Sequence, residues 1–159
     1  MRLVWDEDAA VAAWVAARIP WVGEAAAFGP CRAIGVARAD GTAAAGVVFS
    51  SYHPKFASIE IAAASETPRW LTRALVRQIM GYPFDQLGCL RVTAVTPRRA
   101  MPARRFLESF GFKREGLARR GFGAFGDAVI FGMLRREWRG SRWVGEGLEY
   151  SPDLDHIPI

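Results

Sequence analysis

Between residues 56 and 96 the spacing of apolar residues changes twice. FASIEIAAA, residues 56–64, reads as a strand, whereas from about 68 to 80 Leu71, Leu75, Ile79 and Met80 fall on one side, as a helix requires. LRVTAVT, residues 90–96, alternates again. Strand, helix and strand in that order predict a parallel pair with a right-handed crossover, because a right-twisted strand feeding a right-handed helix packs back on the sheet in that sense. No other feature restricts the topology as much.

The flanks supply more elements. DEDAAVAAWVAAR, residues 6–18, opens with acids and ends in arginine, the charge order that suits a helix dipole, and its apolar middle predicts a buried helix. Residues 20–30 read as a loop or short helical turn. CRAIGVARADGTAAAGVVFSSY reads as a hairpin, since Asp40-Gly41 between apolar arms favours a tight turn. A second amphipathic helix is expected at 100–109, with Phe106 and Phe110 inward and Gly111 closing it. Two strands, about 112–120 and 127–135, flank GFGAFG. The order is helix, three strands, helix, strand, helix, two strands, an α+β chain with a mixed sheet and not a doubly wound one. One domain is expected over 1–139, and the tail 140–159, which bears Trp143, is expected to pack on it or on a neighbouring copy, leaving a homodimer open.

Composition narrows the partners. With 51% hydrophobic and 23% charged residues and no apolar run of about 18, the chain reads as soluble, with no membrane span. Its start, MRLVWDEDAA, turns acidic at once and lacks a secretory pattern, so the cytoplasm is expected. Cys31 and Cys89 fit no metal-ligand spacing with His53 and His156; both are expected as reduced thiols in or near the core, and no metal is expected. The net charge of +5 is nearly all arginine, which suits phosphate-bearing ligands or else a GC-rich genome. The pairs Arg98-Arg99, Arg104-Arg105 and Arg119-Arg120 lack interleaved stacking aromatics, apart from Phe122 and Phe125 in the glycine-rich loop, which argues against nucleic acid.

TPRWLTRALVRQ, residues 67–78, is built like a helix that begins at a phosphate. Thr67 is placed to cap, and Pro68 loses nothing by lacking an N–H at the first helical position. The unpaired N–H groups of such a terminus, with the helix dipole, favour an anion.

The residues from 58 onward carry a family likeness. Tyr82-Pro83-Phe84, Leu87-Gly88, Arg91-Val92, the run Phe110-Gly111-Phe112-Lys113-Arg114-Glu115-Gly116, and Asp127 leading to Met133-Leu134 and Glu137-Trp138 together resemble the GNAT superfamily of acetyl-CoA-dependent N-acetyltransferases. Within it they look most like the branch of ribosomal-protein N-terminal acetyltransferases and related phage-borne members. The resemblance spans about residues 33–139. It implies a mostly antiparallel mixed sheet, flanked by helices and splayed between the strands at about 58–64 and 90–96. It also implies acetyl-CoA as cosubstrate and an amine acceptor. The pantetheine arm would lie along Ala62, Ala63 and Ala64, and the pyrophosphate at Arg69, Trp70, Leu71, Thr72 and Arg73.

The pattern departs from the family at two places. Where the family writes glycines at the helix start, this chain has Trp70 and Thr72. Glycine there permits close approach to phosphate, so either Arg69 and Arg73 compensate, or Trp70 plugs the core and the arginines are a solvated face. The usual leaving-group acid is also missing, because Ala100, Ala103 and Leu107 stand at the positions of Asn, Ser and Tyr. Glu60 is the candidate base, since its carboxylate faces away from Ile59 and Ile61 and partial burial would suit the task; the alternative is a strand acid paired with a cross-sheet arginine. A backbone N–H near Ala62 or Ala63 would polarise the carbonyl, and Tyr52 and His53 are placed to assist. The acceptor pocket is expected from residues 14–30 and 117–128. The implied function is acetyl transfer to a primary amine, a protein N-terminus or a small amine. The alternative is a GNAT-fold sensor or assembly protein that binds acyl-CoA without turnover.

Overall fold

The apolar alternation of the chain resolves into one seven-stranded sheet in a computed structural model, whose described residues are 1–145. The strands are β1 (Arg2–Val4), β2 (Cys31–Ala37), β3 (Ala43–His53), β4 (Ser58–Ser65), β5 (Arg91–Pro97), β6 (Lys113–Ala118) and β7 (Ala128–Leu134). Their order is β1-β2-β3-β4-β5-β7-β6, and every neighbouring pair is antiparallel except β4 and β5. The helices are α1 (Asp8–Ala16), α2 (Arg73–Gly81), α3 (Met101–Phe110) and α4 (Arg135–Arg139). This is the splayed, mostly antiparallel α+β sheet that the sequence implied.

The β2–β3 hairpin closes as its turn residues dictate. Arg38 N–H donates to Thr42 O at 2.8 Å, Asp40 Oδ1 accepts from Thr42 N and Oγ1, and Gly41 takes φ +88°. Gly111, at φ +125°, ends α3 by donating to the carbonyls of Leu107 and Glu108, as expected.

Strand alternation divides the core. Ala33 and Val48 face α1 with Ala12, Val15 and Ile19. Val47, Phe49 and Ile59 face the other way, onto Leu75, Val76, Ile79 and Met80 of α2 and Phe110 of α3. Helix α1 lies close on β3 because Gly46 has no side chain: a Cβ there would stand 2.6 Å from Val15 Cγ2.

Three features differ from the sequence reading. β1, three residues long, adds an edge strand beside β2. α4 follows β7 directly, and its Trp138 stacks on Phe84 with centroids 6.1 Å apart. The helix expected from residue 68 is divided: Pro68–Trp70 form one 3-10 turn, and α2 starts at Arg73. Past α4 the chain crosses α3, where Trp143 Nε1 donates to Phe110 O at 2.8 Å and Val144 is buried. The rest of the expected tail, 146–159, lies outside the described residues.

Candidate active site

β4 and β5 pair only at Ser58 with Arg91, Ile59 with Val92 and Glu60 with Thr93. Beyond that rung β4 stays paired to β3 as far as Ser65, and β5 to β7 as far as Pro97. The strands are thus held on their outer sides while their facing edges, from Ile61 and from Ala94 onward, make no ladder. A cavity of about 220 Å³ opens there. Ala62, Ala63 and Ala64 line it from β4, Thr96 from β5, and Phe106 and Leu107 from α3. Three small side chains leave room beside an open strand edge, whose N–H and C=O groups are obligatory hydrogen-bonding groups.

The segment entering α2 is built from two threonine caps in series. Thr67 Oγ1 accepts from Arg69 N at 3.3 Å, and Thr72 Oγ1 accepts from Leu75 N at 3.3 Å. Between them Leu71 (ψ 51°) and Thr72 (ψ 148°) interrupt the helix. Arg69 and Arg73 therefore do not lie on one continuous helix, although both are exposed. The N–H groups of Arg73 and Ala74 have no acceptor among the described residues, so the anion-favouring terminus sits one turn later than expected. Arg73 also shares a surface hollow with Arg139 and Arg142.

Trp70 is 5% exposed, belongs to the α2-side core and lines the cavity. The bulk at a usual glycine position is thus packed into the core beside the cavity.

Glu60 is exposed, not part-buried, and lies between Ser50 of β3 and Thr93 of β5. No ion pair reaches it among the described residues, so the cross-sheet arginine of the alternative reading is not there. Tyr52 and His53 are exposed at the end of β3. Ala103 and Leu107 do face the cavity, so the wall that would carry a leaving-group acid on α3 is apolar, while Ala100 precedes α3. Trp21 lines the cavity and meets Phe122 edge-on, centroids 6.4 Å apart, which joins the two segments expected to form an acceptor pocket. Thr96 was missed by sequence reading: in LRVTAVT it is one more alternating strand residue.

Cys31 and Cys89 are unpaired, and burial pushes both thiols up, as suits structural residues. Among the described residues no group of three or more His, Cys, Asp or Glu is arranged to hold a metal, and no helix is long and apolar enough to cross a membrane.

Solved structures share this architecture. A point mutant of spermidine N-acetyltransferase SpeG from Vibrio cholerae superposes with a TM-score of 0.58 at 18% identity over 69% of each chain. A T. thermophilus protein provisionally assigned as an acetyltransferase gives 0.58 at 24% identity, over 70% of this chain and 63% of that one. The chain has the GNAT acetyltransferase fold. The dodecameric V. cholerae spermidine N-acetyltransferase gives the same TM-score of 0.58 at 19% identity, over 69% of this chain and 68% of that one. At these identities the likeness is one of fold. No protein-family model and no curated protein matches the sequence.

Proposed function

We propose that the chain is an N-acetyltransferase that moves an acetyl group from acetyl-CoA to a primary amine, a protein N-terminus or a small amine, in the cytoplasm. The observation that carries this reading is the apolar cavity in the β4–β5 splay, set close to a helix terminus with free N–H groups. Ala62, Ala63 and Ala64 would hold the pantetheine arm by strand-like hydrogen bonds along the open edge of β4. Arg73 and Ala74 would give main-chain N–H groups to the pyrophosphate, and Arg69 and Arg73 would add charge. Trp70, Leu71 and Thr72 shape the passage between these two ends.

Glu60 is the base in this proposal, taking the amine's proton through water at the vertex of the splay. The neutral amine attacks the thioester carbon, the C–N bond forms, and the C–S electron pair leaves with sulfur. A backbone N–H near Ala62 or Ala63 polarises the carbonyl. The acceptor would bind at the loops after α1 and β6, a reading supported by the contact of Trp21 with Phe122. The motifs from Tyr82-Pro83-Phe84 to Glu137-Trp138 favour the ribosomal-protein and phage-borne branch of the fold.

Calorimetry and thermal melts with acetyl-CoA, and with duplex DNA at two salt concentrations, test the reading. Acetyl-CoA at about 100 times its Kd stabilises the protein by about 2.7 kcal/mol. No response to acetyl-CoA overturns the reading, and DNA binding that weakens steeply with salt replaces it. A second reading, an acyl-CoA sensor without turnover, is favoured by the apolar Ala103 and Leu107 in the cavity wall. It would be identified by acetyl-CoA binding with no product from a panel of amines and peptides.

A further inference from the structure

Two polar side-chain atoms lining the cavity are buried without a hydrogen-bond partner, Thr96 Oγ1 and Trp70 Nε1. Their residues are 3% and 5% exposed. A buried donor left without a partner costs the full desolvation of that group, and native structures hold few of them. Two on one apolar cavity mark a place where a ligand completes the bonding.

The position of Thr96 says which part of a ligand it would meet. It follows Val92 and Ala94 at every second residue of β5, and both belong to the core facing α2 and α3. Counting on from the Glu60–Thr93 rung, Thr96 falls opposite Ala63, across the gap in which the strands no longer pair. Ala103 and Leu107 share that cavity and offer no hydroxyl or amide. Resting on the acetyl-transfer reading, we propose that Thr96 Oγ1 donates a hydrogen bond to the thioester sulfur and holds the thiolate it becomes. Thr96 thus supplies from β5 a donor that α3 lacks.

The chemistry balances without proton transfer from Thr96. As the C–N bond forms and the C–S bond breaks, the electron pair goes to sulfur and the amine's proton passes through water to the Glu60 carboxylate. Thr96 keeps its proton, because an aliphatic hydroxyl is a weaker acid than a thiol of pKa about 8.5. Its hydrogen bond strengthens as charge develops on sulfur, so it favours the transition state over bound substrate. Trp70 Nε1 remains to donate to an amide carbonyl of the same arm.

The experiment compares CoA with desulfo-CoA by calorimetry at about pH 10, where a free thiol is mostly thiolate. The wild type is expected to prefer CoA by about tenfold, the size of one hydrogen bond to a charged group. Thr96→Val, which keeps the side-chain shape, is expected to remove the preference, and Thr96→Ser to restore it. A preference that survives Thr96→Val overturns the assignment while leaving the acetyl-transfer reading intact; if the wild type binds neither ligand, both fall. A second measurement needs no variant: ultraviolet titration of CoA bound to the wild type. A thiol that titrates below free CoA supports the assignment, and one that titrates at or above it overturns the assignment.

Discussion

Glu60 and Thr93 form the last rung between β4 and β5, and the next residue of β4, Ile61, already lines the cavity. The carboxylate therefore stands where the parallel pair comes apart, on the sheet face opposite Ile59 and Ile61. An exposed acid at that vertex has solvent to pass a proton to, and among the described residues no arginine competes for it.

Replacing it tests the role. Glu60→Gln keeps the side-chain shape and the rung, and is expected to lower kcat by about 10²-fold or more. Acetyl-CoA affinity, read by calorimetry, should change by less than about twofold, since the base meets the amine and not the nucleotide. Equal turnover in the variant removes Glu60 as base.

Trp70 separates two roles that the sequence left open, core plug and ligand partner. Trp70→Phe keeps most of the apolar volume and deletes an N–H that has no partner. Its melting temperature should stay near that of the wild type, while acetyl-CoA binds about five- to tenfold more weakly for the loss of one hydrogen bond. Trp70→Ala is expected to cost about 3–5 kcal/mol of stability, read by denaturant titration, because it empties a site in the main core. Affinity unchanged in Trp70→Phe would leave the indole as a plug only.

Arg73→Glu reverses a charge at the first position of α2. A glutamate suits a helix N-terminus, so the fold should be unharmed or slightly more stable, by about 0.3–1 kcal/mol. A bound pyrophosphate would meet a negative charge in place of a positive one, and acetyl-CoA affinity should fall by more than about tenfold. Circular dichroism and calorimetry on the same sample read the two effects apart, and unchanged affinity refutes the phosphate role.

These residues also show what a sequence of this kind discloses. The β4–α2–β5 unit was legible because its apolar period changes twice within about forty residues, and only a crossover satisfies that pattern. The start of α2 was not. Thr67 and Pro68 carry a genuine N-terminal signal, but they spend it on a single 3-10 turn; Thr72, which caps the true helix, looks like an ordinary helical residue in the string. α4 has five residues, and β1 has three, too few for periodicity to register. The alternation of Ile59-Glu60-Ile61 fixed the face of Glu60, while its exposure depends on what other elements leave uncovered. Thr96 carried no signal because an unpartnered hydroxyl is a property of the folded surroundings.

The far end of the sheet supplies a stability prediction. Glu137 accepts from Leu134 N–H at 3.0 Å and meets Lys113 Nζ at 2.5 Å, tying α4 to β7 and β6. Burial raises its pKa, but the Lys113 hydrogen bond, the Leu134 N–H and the charges of Lys113 and Arg136 together outweigh burial and leave it below the ordinary glutamate value. A carboxylate with a lowered folded pKa adds stability that is fully present above its unfolded pKa and is lost as pH falls through the folded one. Glu137→Gln should therefore lower the melting temperature near pH 7 and have progressively less effect as pH falls through the lowered folded pKa of Glu137, below which the wild-type carboxyl is itself neutral. Lys113→Met removes the cation and should shrink the same acid-dependent difference. A Glu137→Gln effect that is constant across this range would mean that the ion pair contributes nothing and that the glutamine simply fails to cap α4.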